Sequence, residues 1–414
     1  MTDDTAIETQ VCVVGGGPAG VMAGLLFARA GVETVVLEKH GDFLRDFRGD
    51  TVHPSTLEVM HELGLLGAFL KRPHDRLAKI GGVFFGEKLH LTDFSSLPTQ
   101  CKFIALMPQW HFLDFLADAA RPLPGFTLHM NAEGKDLLHE NGRVAGVRAE
   151  IDGKPATIRA KLVIGADGRH STIREAAGLK RREIGAPIDV LWFRVPRDGA
   201  ETDDEPLFYA GDGHAVVTIN RGDYFQCAFI IEKGGAERVK AGGIEAFRTA
   251  VGETAPKLAG QTDAIGSFED VKLLTVAMDR LETWHRPGLL MIGDAAHAMS
   301  PVAGVGINLA IQDAVAAANL FAGPMADGTF GDGDLDRLRR RREWPVRATQ
   351  FFQTQVQDRI VSPIISGKSG TKAPPLPLRI VSHVPWLQRR AAALIGIGVR
   401  PEHVHSPQLH ALGP

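Results

Sequence analysis

Residues 9–38 decide the fold: Thr9-Gln10-Val11-Cys12-Val13-Val14, then Gly15-Gly16-Gly17-Pro18-Ala19-Gly20, then an apolar stretch to Gly31, then Glu33-Thr34-Val35-Val36-Leu37-Glu38. The first run is short, apolar and β-branched, the pattern of a parallel strand buried on both faces. The glycine turn fits GxGxxG, and a helix follows from about Pro18 to Ala30, with Gly31 where helices are commonly capped. Glu33–Leu37 reads as a second buried strand. In such a β-α-β unit each glycine has its own task. Gly15 permits the tight turn, Gly17 lets the backbone approach a pyrophosphate, and Gly20 lets the helix pack closely on the strand. Pro18 and Ala19 open the helix, whose N-terminus offers N–H groups and a positive dipole end to phosphates. Glu38, with Lys39 beside it, ends the second strand. Its carboxylate can accept from both ribose hydroxyls and disfavours a 2′-phosphate, so the site suits FAD or NAD over NADP.

The totals bound what else the chain can be. It has 414 residues, 44% hydrophobic and 23% charged, which suggests two or three domains of a globular protein. A net charge of -3 gives no field to gather nucleic acid or an anionic membrane. Cys12, Cys101 and Cys227 are far apart and form no CxxC, so neither a disulfide framework nor a zinc site is indicated. That fits a reducing, cytoplasmic setting. The acidic start MTDDTAIETQ lacks the features of a signal peptide, and no integral membrane segment is expected.

Further along, the spacing predicts helices over Thr56–Leu70, Gln109–Ala120 and Gly306–Leu320. Strands are expected over 79–94, 142–151 and 155–164. The stretch 187–277 changes character, with strand-like runs Val190–Val195, Ala215–Ile219 and Phe225–Ile231. The last two are joined by the hairpin-compatible Asn220-Arg221-Gly222-Asp223. The expected fold class is α/β: a dinucleotide domain from 1–75, 101–180 and 278–350, interrupted by an inserted antiparallel β-sheet from 76–100 and 181–277, with a C-terminal helical or irregular tail over 351–414. The tail's APPLPLRIV stretch reads as neither ordinary helix nor central strand. Pro385–Ile397 reads as an amphipathic helix docked on the body. The basic run Arg337–Arg342 reads as a solvated helical face.

Two more glycine turns follow apolar runs. Gly165-Ala166-Asp167-Gly168 ends Leu162-Val163-Ile164 and continues to Ser171 and Arg174. By itself an Asp-Gly turn is most simply structural. Gly293-Asp294-Ala295-Ala296-His297 follows Leu289–Ile292 and continues to Pro301, Gly304, Gly306, Ile307 and Asn308. There Asp294 can bind a flavin's polyol chain. Gly304 and Gly306 would let backbone N–H groups approach a flat ring, with the helix from Ile307 aiming its positive end at it.

The ordered set GxGxxG…E, DGxxSxxR and GDAAHxxxPxxGxGxN resembles the class A flavoprotein monooxygenases, the p-hydroxybenzoate hydroxylase-like family. The resemblance covers about Thr9 to Arg347. It implies FAD as cofactor and NADH or NADPH as a transient co-substrate that binds on the flavin domain, since no second GxGxxG is present. It also implies that Asp167 lies near the pyrophosphate and the nicotinamide cofactor's path, that Asp294 holds the ribityl chain, and that Arg48 meets the phosphates and Gln109 the flavin. Many members carry GQG where this chain has Gly304-Val305-Gly306, so a glutamine side chain is lost there. The implied reaction inserts one atom of O2 into an aromatic, phenolic or polycyclic small molecule through a flavin C4a-hydroperoxide. A flavin dehydrogenase without oxygen insertion and a non-catalytic nucleotide-binding protein are the alternatives. A homodimer is compatible with all three.

The pocket roof should come from one face of the inserted sheet. Alternation puts Tyr224, Gln226, Ala228 and Ile230 on one side and Phe225, Cys227, Phe229 and Ile231 on the other. Tyr224, Phe225 and Gln226 are the expected substrate contacts, and Arg194 or Arg221 could pair a substrate carboxylate. His297 is read as loop structure rather than as a proton-transfer group, His53 as part of a turn. No metal site is expected.

Overall fold

A computed structural model describes residues 5–44, 51–197, 207–211, 213–367 and 373–412. The strand Thr5–Val14 lies at the centre of a parallel sheet, between Lys154–Gly165 and Thr34–Leu37. Leu289–Met291 and Phe126–His129 extend it on either side, also in parallel. Val11, Cys12, Val13, Leu162, Val163 and Ile164 are fully buried, as a sheet covered on both faces requires. The helix Pro18–Arg29 is buried nearly all round. It packs on the core helix Gly306–Ala326 and on Gln109–Ala120, which explains why it carries no charge before Arg29.

Several expectations need amending. The helix expected over Thr56–Leu70 is two, Pro54–Glu62 and Leu66–Phe69, parted at Gly64 with φ +75°. A strand over Ala132–Glu140 pairs antiparallel with Arg143–Ile151 and was not anticipated, because its AEGKDLLHE sequence is polar and half exposed. The core helix sits in a stretch, Val302–Ala326, long and apolar enough by composition to cross a membrane, but it is largely buried inside the protein.

The second sheet runs in the order Lys272–Leu274, Ile188–Pro196, Tyr224–Glu232, His214–Asn220, Phe208–Gly211, Lys79–Phe84, Glu87–Asp93. It is antiparallel except at one pair. Phe208–Gly211 runs parallel to Lys79–Phe84, two strands too distant in sequence to share a hairpin. The turn after Asn220 closes as expected, with Gly222 at φ +84° and Arg221 N–H donating to Tyr224 O at 2.9 Å. One face is covered by a helix that the sequence reading missed. Ile244–Thr254 seats Phe247 and Val251 against Phe193, Phe225, Cys227 and Phe229. The opposite face carries Val190, Ala215, Ala228 and Ile230, which share a cluster with Val302, Val361, Ile364 and Leu378.

The tail is more regular than its prolines suggested. Leu376–His383 is helical because Pro377 falls in the first turn, where no intrahelical N–H bond is lost. The helix Pro385–Gly396 docks on Glu87–Asp93 and buries Ala392. Beyond it the chain straps across the helices beside the parallel sheet. Val404 N–H donates to Glu62 at 2.7 Å, Arg29 Nη2 donates to Gln408 Oε1 at 2.7 Å, and Leu409 and His410 N–H donate to Arg29 O at 2.9 and 3.0 Å. The basic run is not wholly solvated either. Arg342 is fully buried and pairs with Asp313 at 3.0 Å and Glu402 at 3.6 Å.

Candidate functional site

Register brings the motifs together. Val14 lies opposite Leu37 on one side and Gly165 on the other, and Gly165 lies opposite Met291. The residues that follow, Gly15, Glu38, Ala166 and Ile292, therefore leave the sheet along one edge, at the carboxyl ends of four parallel strands. Ligands of open α/β sheets bind in that crevice.

The glycines divide their tasks by space. Gly15 has φ +108°, and a Cβ there would fall 2.4 Å from Ala166 O. A Cβ on Gly20 would fall 1.8 Å from Gly15 O, so helix and turn meet only because neither residue has one. On Gly17 a Cβ would meet nothing within 4 Å, and the same holds for Gly306. These two glycines face open space that a ligand can fill. The helices Pro18–Arg29 and Gly306–Ala326 both begin there, and neither N-terminus is capped by a side chain. Their N–H groups remain available to an anion. Glu38 is buried, its Oε2 accepting from Gly16 N–H at 3.0 Å and its Oε1 from His40 N–H at 3.0 Å, while Lys39 is exposed.

The second and third motifs are stitched to each other. Asp167 accepts from the Ser171 hydroxyl and, at 3.1 Å, from Ile173 N–H, so its carboxylate is spent on its own turn. Burial pushes its carboxyl up, and those two bonds only partly offset that. Arg174 is buried and donates to Ala295 O at 3.1 Å. Arg169 Nε donates to Asp294 Oδ2 at 3.0 Å and its Nη2 to Met299 O at 3.2 Å. Arg169 lay inside the quoted motif at a position the pattern leaves open, so nothing in the sequence singled it out.

After Pro301 the loop Val302–Gly304 turns through two positive φ values, +65° at Ala303 and +64° at Gly304. A left-handed alanine is strained. What holds it is visible. Thr51 Oγ1 donates to Gly304 O at 2.9 Å. From the helix Asp336–Val356, Gln353 Nε2 donates to Ser300 O and Val302 O, each at 2.9 Å, and its Oε1 accepts from Ser300 N–H at 3.2 Å. Gln350 Nε2 reaches Ala298 O at 3.2 Å, and Gln357 donates to the Ser300 hydroxyl. This glutamine ladder escaped the sequence reading because glutamines spaced by three and four on a polar helix look solvent-facing.

Ile307 is buried at the start of the core helix. Asn308 Oδ1 accepts from Ser55 at 2.7 Å and Thr56 at 2.6 Å, so that side chain ties two helices together. His53 is buried, with Nδ1 at 2.8 Å from Ile395 O of the tail helix. Burial drives its pKa down to about 4, against the raising effect of neighbouring backbone carbonyls. His297 pairs with Asp313 away from Asp294, in keeping with a structural role. Gln109 opens the helix Gln109–Ala120, partly buried. Arg48 lies outside the described residues.

Of the three expected substrate contacts, Phe225 must be set apart. It is buried in the layer under Ile244–Thr254, with Lys257 Nζ 4.2 Å from its ring centroid. Tyr224 and Gln226 share the other face. Gln226 is only 5% exposed, and among the described residues its Nε2 has no hydrogen-bond partner. In register beside it lie Arg194 and Ile219, and the Arg194 guanidinium lies 5.1 Å from the Tyr224 ring centroid. Among the described residues no group of His, Cys, Asp and Glu converges as a metal site.

A family model described as an FAD binding domain matches residues 8–351. The 6-methylpretetramide 4-monooxygenase of Streptomyces rimosus is 32% identical over 386 residues, covering 91% of this chain and 90% of that protein. The pentachlorophenol 4-monooxygenase of Sphingobium chlorophenolicum is 27% identical, over 74% of this chain and 57% of its own length. Among solved structures, an anhydrotetracycline hydroxylase from Streptomyces rimosus superposes with a TM-score of 0.74 at 23% identity, covering 94% of this chain and 76% of its own. The p-nitrophenol 4-monooxygenase of Pseudomonas putida superposes with a TM-score of 0.74 at 19% identity, covering 95% and 98%. At such identities the superpositions show the fold. With the family model matched over most of its length, the chain belongs to the FAD-binding family and is an FAD-dependent aromatic monooxygenase.

Proposed function

We propose that the protein hydroxylates a polycyclic, phenol-bearing aromatic between the strand-end crevice and the inner face of the second sheet. The overall reaction is aromatic C–H plus O2, NAD(P)H and a proton giving C–OH, NAD(P)⁺ and water. The chemistry supplied by bound FAD is hydride acceptance and activation of dioxygen. The protein's part is to bind, orient and exclude water. Gly15, Gly17, Pro18, Ala19 and Gly20 cradle the diphosphate. Glu38, with Lys39 at its side, serves the adenosine ribose, Arg48 and Asp167 lie toward the phosphates, and Gln109 approaches the ring. Asp294, oriented by Arg169, holds the polyol chain. Pro301 and Gly304 shape the turn, and Gly306, Ile307 and Asn308 present backbone N–H groups at a helix N-terminus, where the negative charge of a reduced flavin is favoured.

The observation that carries the reading is contact between the two halves. Val302, next to the strained Ala303, packs in one cluster with Ala228 and Ile230 of the sheet. A substrate on that face lies against the flavin loop. Near Tyr224, Gln226 and Arg194 that face carries the apolar Ile219, Ala228 and Ile230. The buried, unpartnered Gln226 amide is costly unless a ligand oxygen accepts from it. The three free, buried thiols suit a reducing cytoplasm.

The test is turnover against a polycyclic phenol panel under ¹⁸O2. Stimulated NAD(P)H oxidation with one labelled oxygen in the product supports the reading. Anaerobic flavin reduction by the substrate itself would instead mark a dehydrogenase. Asp294→Ala should lose most of its FAD, and full yellow occupancy in that variant would sink the assignment of the third motif.

A further inference from the structure

A small ribbon beside the third motif carries an electrostatic conflict. Arg181–Glu183 pairs antiparallel with Asp279–Leu281, placing Arg182 directly opposite Arg280. Like charges facing across a pair destabilise it. Arg181 is relieved by Asp279 at 3.3 Å. Among the described residues no ion pair relieves Arg182. Arg280 donates to Gln350 Oε1 at 3.1 Å, and burial, then Arg347, then Arg182 push its pKa down. Glu343, the acid whose charge acts against that shift, is itself paired with Arg339 at 2.8 Å. Arg347 likewise lacks an acidic partner among the described residues. Arg182 thus faces Arg280 across the ribbon, and Arg347 lies one helical turn from the neutral Gln350 amide to which Arg280 donates.

The third arginine stands in an unusual setting. On the helix Asp336–Val356, Trp344, Arg347 and Phe351 are spaced by three and four, so they share one stripe. Trp344 is 59% exposed and Phe351 67%. Large aromatics flanking an unpaired arginine in open solvent cost hydration and gain no packing. The ribbon is one hydrogen-bonded step from the third motif, since Leu281 N–H donates to Ala296 O at 2.8 Å.

We propose that Arg182, Arg280 and Arg347 bind the phosphates of the reduced nicotinamide dinucleotide, with its adenine stacked on Trp344. The proposal rests on the monooxygenase reading for the identity of the ligand. Guanidinium forks suit phosphate, and a dianion among them turns mutual repulsion into charge-assisted hydrogen bonds. Purines stack on exposed indole faces. The site also answers a need of the fold. Glu38 disfavours a 2′-phosphate in the GxGxxG cradle, and that cradle is given to FAD, so the second dinucleotide requires its own basic surface.

Two phosphate sources share this chemistry: the diphosphate common to both dinucleotides and the 2′-phosphate of NADPH. The FAD-loaded protein is titrated by calorimetry at low salt with 2′,5′-ADP and, separately, with ADP-ribose. The Arg182→Ala/Arg347→Ala double variant should bind weaker by about tenfold, with KM for the reduced dinucleotide rising in step. FAD content and aromatic-ligand binding should not change. Weakening for 2′,5′-ADP alone assigns the 2′-phosphate, weakening for both probes assigns the 5′-phosphate they share, which is the adenosine side of the diphosphate, and weakening for ADP-ribose alone assigns the far phosphate of the diphosphate. Quenching of tryptophan fluorescence by either probe should vanish in Trp344→Leu. If the double variant binds both probes as the parent does, or the parent binds neither, the proposal is overturned. Absence of NAD(P)H oxidation with probe binding intact would fault the monooxygenase reading instead.

Discussion

His297 Nε2 lies 2.6 Å from Asp313 Oδ2, and both residues are buried. The same carboxylate accepts from Gly293 N–H at 3.0 Å, at the head of the third motif, and from Arg342 Nε at 3.0 Å. One buried aspartate therefore joins the loop of the third motif to the arginine-rich helix, and through Arg342 to Glu402 in the tail.

Removing one member of a buried ion pair strands the other. Asp313→Asn should cost roughly 3–5 kcal/mol in urea unfolding of the protein. A loss below about 1 kcal/mol would contradict the network. Burial pushes the Asp313 carboxyl up, but His297 and Arg342 outweigh it and hold it below the usual carboxylate range. Its contribution is then full above the unfolded pKa of about 3.9 and is lost as pH falls further. Acid unfolding below about pH 4 should be shallower in the asparagine variant.

His53 should act in a different window. The unfolded chain takes up this proton from about pH 6.5 downward, the folded protein only near its pKa of about 4. Stability is therefore full above 6.5 and falls by roughly 3 kcal/mol through that interval. His53→Gln should flatten the profile between pH 6.5 and 4. An unchanged slope would show that the ring is not the group titrating there.

Gly17 and Gly20 should fail differently on gaining a methyl group. Gly17→Ala has room, so the variant should fold with a melting temperature near that of the parent and lose FAD, because the methyl fills the cradle. Gly20→Ala must push its Cβ against Gly15 O and should lose stability first. Equal FAD content in Gly17→Ala and the parent would place the cofactor elsewhere.

Gln353→Leu leaves Ser300 N–H, Ser300 O and Val302 O without their side-chain partner. Each buried group left unpaired costs about 1–3 kcal/mol, less where water enters. The flavin loop should loosen, seen as faster FAD dissociation on dilution and a shifted flavin reduction potential. A changed melting point with unaltered FAD release would confine the glutamine to a packing role.

Local structure is the most legible part of the sequence. The turn at 15–20, the helix from Pro18, the helix Gln109–Ala120 and the Asn220 hairpin follow from neighbours in the chain. Interactions between remote partners are the least legible. Arg342 looked like any other member of its run, because Asp313 and Glu402 lie 29 and about 60 residues away. The face assignment of Phe225 hung on the helix Ile244–Thr254, whose apolar residues gave no hint of which side of the sheet they would cover. The arginine conflict at 182 and 280 exists only in a strand register.

The edge where the strands end at Val14, Leu37, Gly165 and Met291 also sets a timetable. On the ribosome the first of these emerges long before the last, and one of the two neighbours of the N-terminal strand is synthesised about 150 residues later. Until residue 291 is out, the GxGxxG turn has half a cradle and no third wall. Cofactor capture therefore belongs to the closing phase of synthesis. A nascent chain arrested before that strand should carry no flavin, however well its first β-α-β unit has formed.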